Sequence, residues 1–264
     1  MDNIVIGRYL PLDSFIHKLD PRIKIISMML VLVGIFLPAG FLGYLILAIL
    51  IFVAYLLSKI PLSFIWKSFK PLLFMMTFLL VFNLFFIRTG NVILDLNIVQ
   101  IYDGALKQTL YIIIRLVLMI ATTTVVITST KPLDLTHAIE DLLSPLKVVK
   151  LPAHEIAMII SIALRFIPTL IEETSRIMKA QASRGVDFDG GKLKEKIKAI
   201  LSLIIPLFVA SFKRADELAN AMEARGYVVN GTRTRYRQFH IRMHDWLVLA
   251  VCVLVLIILV IIIL

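Results

Sequence analysis

Two short stretches with the same ending carry the most distinctive chemistry in this chain: Ser183-Arg184-Gly185 and Ala224-Arg225-Gly226. Arginine presents a planar fork of donors that suits carboxylate and carbonyl acceptors. Glycine supplies the left-handed conformation on which many helices end. One such ending is ordinary helix punctuation, and the helix dipole favours arginine there anyway. Two of them, each closing a long helical pattern with a small residue before the arginine, point to a pair of presented arginines and two similar receiving surfaces.

Other candidates are weaker. The segment GVDFDGGK, Gly185 to Lys192, looks like a phosphate-binding loop but misses its pattern. That motif needs four residues between its glycine and Gly-Lys, followed by Ser or Thr. Here five intervene and Leu193 follows, so the chain itself is not expected to bind ATP. His240 and His244 have a spacing that could share a metal on one helical face. No Glu lies between them, arginines flank them, and a role facing lipid headgroups is expected instead. His17, His137 and His154 are isolated. No nucleophile–base pair or supported carboxylate dyad exists, so no catalytic residue, metal or cofactor is assigned and an enzyme is not expected.

These residues sit in an apolar chain. It is 59% hydrophobic and only 17% charged over 264 residues, with mean hydropathy +0.93. Ordinary globular chains carry about a quarter charged residues. The fold class expected is an all-α integral membrane protein with about five transmembrane helices plus two long and one short cytoplasmic helices. Met1 to Lys24 has no apolar h-region and no small-residue cleavage site, so the first span is expected to be retained. The net charge of +10 fits basic loops on the cytoplasmic side of a membrane. No nucleic-acid motif accompanies it, and nucleic acid is rejected as a partner. The lone Cys252 lies in an apolar run and reads as a small buried hydrophobe.

Along the chain, residues 25–58 contain no charge, and Pro38-Ala39-Gly40 divides them into helices at 25–37 and 41–58. Lys59 to Lys70, with Trp66, reads as an interfacial cytoplasmic loop. A third span is expected at 71–87. An outer loop with a short strand-like or interfacial piece at 92–101 leads to a fourth span at 108–128. The fifth is 246–264. Arg115, inside the fourth span, is expected to snorkel to the interface, and Asn83 to hydrogen-bond a neighbouring helix. Residues 131–245 hold eighteen of the twenty-eight Lys and Arg and thirteen of the eighteen Asp and Glu. The expected organisation is therefore a four-span membrane region, 1–130, a cytoplasmic helical region, 131–245, and a final span, 246–264. The N-terminus is then inside and the C-terminus outside.

Within 131–245 the pattern gives a short amphipathic helix, 133–146, and two long helices at about 153–183 and 192–224. Each long helix has a mid-helix proline, Pro168 or Pro206, in an almost uncharged zone, and then turns polar towards its arginine. With Arg184 set on Arg225, forty-one positions apart, Ala180 falls on Ala221 and Gly185 on Gly226. The two helices read as an internal repeat.

The run Ser14-Phe15-Ile16-His17-Lys18-Leu19-Asp20-Pro21-Arg22-Ile23-Lys24, the spans, and the two small-Arg-Gly tips together resemble the transmembrane T components of energy-coupling factor (ECF-type ABC) transporters. The resemblance covers essentially the whole chain; Ser183 stands where alanine is commoner in that family. It implies a scaffold in the bacterial cell membrane for vitamin or micronutrient uptake. It would hold two ABC-type ATPases and one small substrate-binding S subunit. Ser183, Arg184, Gly185, Ala224, Arg225 and Gly226 would bind the ATPases, and the long helices would couple their motion to the S subunit. Two other readings stand beside it: a conventional ABC permease that forms the solute pathway itself, and a membrane scaffold with no transport role. Few polar groups line the spans, which weighs against the permease.

Overall fold

The computed structural model describes residues 9–87, 89–95, 100–143, 153–188, 190, 192–228 and 239–264. In chain order the elements are α1 (Phe15–Lys18), α2 (Pro21–Phe36), α3 (Gly40–Ser58), α4 (Leu62–Phe86), β1 (Val92–Asp95), β2 (Gln100–Tyr102), α5 (Asp103–Ser129), α6 (Pro132–Leu143), α7 (Ala153–Ser183), α8 (Leu193–Ala224) and α9 (Met243–Ile263). The chain divides into two units: Gly7–His154 joined by Phe239–Leu264, and a second formed from Glu155–Gln238.

In the first unit, α2 is the hub, packing on α3, α5, α6 and α9. Ile35, Leu47 and Leu259 are almost wholly buried there, together with Val31, Tyr44, Leu118 and Cys252. Small residues make this close packing possible. A Cβ added to Gly34 or Gly43 would stand 3.1 Å from a Leu259 methyl. Small-residue contacts of this kind let helices approach where lipid offers no hydrophobic drive.

Among the described residues, four helices are long and apolar enough to cross a membrane: Gly40–Ser58, Trp66–Phe86, Asp103–Ser129 and Met243–Ile263. The first expected span forms α2, which has 16 residues. At 1.5 Å per residue it is about 24 Å long, short of a hydrocarbon core of about 30 Å. Two causes shorten it. Pro38 disfavours helical backbone at Leu37, and Arg22 and Lys24 occupy the first turn. Neighbouring helices bury one face of it, including Ile23, Val31 and Ile35.

One loop expectation needs correction and another is borne out. Lys59 to Lys70 is not a loop, because α4 starts at Leu62 and continues through Pro71. Proline removes one ladder hydrogen bond, which membrane helices tolerate when other groups compensate. The strand-like piece is present as an antiparallel strand pair in which Val92 faces Tyr102 and Asp95 faces Gln100. The fourth span then begins at Asp103. The expected end of the short amphipathic helix, at 146, lies outside the described residues.

Arg115 does not snorkel. Its Nη2 donates to the Tyr44 hydroxyl at 3.1 Å, and its guanidinium lies 5.3 Å from the Phe36 ring centroid. Asn83 behaves as expected, donating to the Thr109 hydroxyl of α5 at 3.1 Å.

Candidate functional site

The second unit contains α7 and α8, 31 and 32 residues long and each continuous through its proline. They run antiparallel. Arg214 Nη2 of α8 donates to Glu173 Oε2 of α7 at 3.0 Å. Fifteen residues earlier on α7, the Met158 sulfur accepts from the hydroxyl of Tyr227, just past the end of α8, at 3.3 Å. At the opposite end, Gly185 and Val186 beyond α7 line one hollow with Lys198 and Ala199 of α8. Met158 and Ala199 are themselves 41 positions apart, and so are Val186 and Tyr227. The forty-one-residue offset read from the sequence thus also relates the residues that come together on either side of the Glu173–Arg214 contact.

The two tips are built alike. Beyond α7, Gly185 N–H donates to the Ala182 carbonyl at 2.9 Å and Val186 N–H to the Gln181 carbonyl at 3.1 Å. Beyond α8, Gly226 N–H donates to the Glu223 carbonyl at 2.9 Å and Tyr227 N–H to the Met222 carbonyl at 3.0 Å. This pair of hydrogen bonds is the Schellman cap. It needs left-handed backbone at the glycine, and the φ values are +85° at Gly185 and +74° at Gly226. In each tip the residues that end the cap, Gln181 and Val186 or Met222 and Tyr227, are half-buried. The four between are exposed, so Ser183, Arg184 and Gly185 face outward like Ala224, Arg225 and Gly226.

The geometry holds each arginine at the point where the helix reverses. It lies 11 residues past the Glu173–Arg214 contact on its own helix, about 16 Å at helical rise. With both arms measured from that contact, the two arginines stand at most about 33 Å apart. Between the first tip and α8, Asp187 Oδ1 accepts from Gly190 N–H at 3.0 Å, and Glu195 Oε2 from Lys192 N–H at 3.0 Å. Two amides of the GVDFDGGK segment are thus engaged by carboxylates of the chain itself. His240 lies ahead of α9, whereas His244 is inside it and sits edge-on to Phe15, with ring centroids 5.9 Å apart. The pair does not share one helical face.

A second polar centre, in the first unit, explains the Leu19-Asp20-Pro21-Arg22-Ile23-Lys24 run. Asp20 caps α2, its Oδ1 accepting from Arg22 N–H at 2.9 Å, with Pro21 at the first helical position. Arg22 reaches Asp141 of α6 at 3.0 Å and donates to the Phe239 carbonyl at 3.2 Å. Lys24 Nζ, deeply buried, donates to the Ser129 carbonyl at 3.0 Å, where the C-terminal end of α5 favours a cation. Asp245, 2% exposed, accepts from Asp20 N–H at 2.8 Å and from Arg242 N–H at 2.7 Å. One six-residue motif thus ties α2 to α5, α6 and the start of α9. Its partners Asp141 and Asp245 were missed in the sequence. For Asp245 a signal existed, since it is the last charge before nineteen uncharged residues.

The comparisons agree with this architecture. A family model described as cobalt transport protein (CbiQ) matches residues 13–236. Proteins named "Energy-coupling factor transporter transmembrane protein EcfT" align over nearly the whole chain. The one from Macrococcus caseolyticus is 43% identical over 253 residues, 96% of each chain. That from Bacillus subtilis is 44% identical over 238 residues, 90% of each. That from Ruminiclostridium cellulolyticum is 45% identical over 251 residues, covering 95% of this chain and 94% of the relative. With apolar helices long enough to span a bilayer, a full-length match and the motif run accounted for, the chain belongs to the transmembrane protein family of energy-coupling factor transporters.

Proposed function

We infer that this chain is the coupling subunit that holds two ABC-type ATPases on the cytoplasmic side of the membrane and one small substrate-binding S subunit in the bilayer. ATPase closure and opening would move α7 and α8, and these would drive the S subunit as it carries a vitamin or metal across. The chain supplies no catalytic group in this scheme; hydrolysis belongs to the ATPases.

One observation carries the reading: two identical, outward-facing caps at opposite ends of one antiparallel helix pair. Each cap fixes Arg184 or Arg225 on a rigid support, where its donors can engage carbonyl and carboxylate acceptors of a groove. Two tips about 33 Å apart or less fit two grooves better than one. Near the prolines the helices expose Ile159, Ile167, Ile204, Ile205 and Phe208. Apolar contact is non-directional, which suits a surface that must release and rebind a membrane partner. The basic excess of 131–245 supports a cytoplasmic position for this region.

Affinity purification of the chain from its native membrane tests the proposal. Two ABC ATPases with one or more small hydrophobic proteins are expected to accompany it. Solute bound to this chain without any S subunit would instead make it a permease. Absence of ATPases would leave the two tips as plain helix ends.

A further inference from the structure

Set in register by their arginines, α7 and α8 carry opposite charge on the arms between the crossing and the tips. At the forty-one-residue offset, Glu172 falls on Lys213, Glu173 on Arg214, Ser175 on Asp216 and Arg176 on Glu217. Lys179 falls on Asn220 and Ala182 on Glu223. Beyond the Glu173–Arg214 contact, the α7 arm exposes Arg176 and Lys179, while the α8 arm exposes Asp216, Glu217 and Glu223. Arg176 is 77% exposed and stays 4.0 Å from Glu173 Oε2. The caps match bond for bond, yet their surroundings differ in sign. Solvation alone asks a helix face to be charged but does not ask one arm to reverse the other. Two docking arms meant for interchangeable partners would have no reason to differ this way.

Building on the docking reading above, we propose that these arms sort two non-identical ATPases. Arg176 and Lys179 beside Arg184 select a groove with an acidic rim. Asp216, Glu217 and Glu223 beside Arg225 select a groove with a basic rim. Charge complementarity contributes specificity and encounter rate more than affinity, and opposed like charges penalise the wrong partner. The arginine in its cap is the common anchor, and the arm decides which ATPase occupies it. Since these side chains are exposed, the sorting is screened once the Debye length falls to a few ångströms.

The test uses the full-length chain with each purified ATPase in turn. The Arg225→Ala chain, which keeps the α7 tip, is expected to prefer one ATPase by about tenfold or more at low salt; the Arg184→Ala chain should prefer the other. Both preferences should shrink towards unity near 0.5 M salt, a concentration chosen to be on the order of several times physiological ionic strength. In the assembled complex, Ala180→Cys and Ala221→Cys, at equivalent exposed positions, should each cross-link to a different ATPase. Exchanging the arms (Ser175→Asp, Arg176→Glu, Lys179→Asn and Ala182→Glu with Asp216→Ser, Glu217→Arg, Asn220→Lys and Glu223→Ala) should reverse or abolish that pattern. Equal affinities of the two ATPases for each tip, or a preference unchanged by salt and by the exchange, would overturn the sorting while leaving the docking intact. ATPases still bound when Arg184 and Arg225 are both alanine would overturn the docking itself.

Discussion

Glu173 of α7 and Arg214 of α8 pair at 3.0 Å across forty-one residues, the same spacing that separates Arg184 from Arg225. Residues at the same place in a repeat meet each other only near a symmetry axis. The contact is therefore the pivot of the helix pair, with the two arginine tips equidistant from it. Its side chains are 21% and 28% exposed, so screening is partial. A double-mutant cycle with Glu173→Gln and Arg214→Gln is expected to give a coupling of about 1 kcal/mol. Thermal unfolding of the purified chain measures it. The reversed pair, Glu173→Arg with Arg214→Glu, should recover most of the loss.

The caps are the second place to test. A Cβ at Gly185 or Gly226 would meet nothing within 4 Å, so Gly→Ala costs only the left-handed backbone. That is about 1–2 kcal/mol at each tip. Because the caps are exposed and terminal, overall unfolding should move little. Titration of ATPases onto the Gly185→Ala or Gly226→Ala chain should show weaker binding as the arginine is re-aimed. Asn, which tolerates this conformation better than Ala, should do less harm.

Much of this was legible in the sequence for physical reasons. Apolar runs marked four of the five expected spans, and the glycine after each arginine marked the caps, because left-handed backbone has few other occupants. The forty-one-residue offset foretold a repeat whose equivalent residues turn out to touch. What local patterns could not give was the meeting of distant charges. Lys24 on the Ser129 carbonyl and Asp245 on the Asp20 amide join residues more than a hundred apart. Arg115 misled for a related reason: an arginine in a span suggests escape to water, whereas Tyr44 and Phe36 receive it within the bundle.

Asp245 probes the polar centre. Asp245→Ala removes the acceptor for two backbone amides at once, and bonds to charged groups contribute about 1.5–3 kcal/mol each. A loss of about 2–4 kcal/mol is expected, read as a lower unfolding temperature in detergent. Asp245→Asn keeps one acceptor oxygen and should lose about half as much.

His17 gives a pH dependence. Burial chiefly, and the nearby charge of Lys24, hold its pKa below the ordinary 6.5, against an opposing bond to the Leu10 carbonyl. A depressed folded pKa means that stability is present above the unfolded value and is lost as pH falls through the folded one. Hydrogen exchange of the segment from Leu10 to Leu19 should therefore accelerate as pH drops below about 6.5, after correction for intrinsic rates. His17→Gln should flatten the response.

If Arg184 and Arg225 each hold one ATPase, the stoichiometry of the purified complex must report it. Arg184→Ala should lose one ATPase, Arg225→Ala the other, and the double variant both along with uptake, while the chain still folds into the membrane. Both ATPases retained at full occupancy in the double variant, with uptake intact, would contradict it.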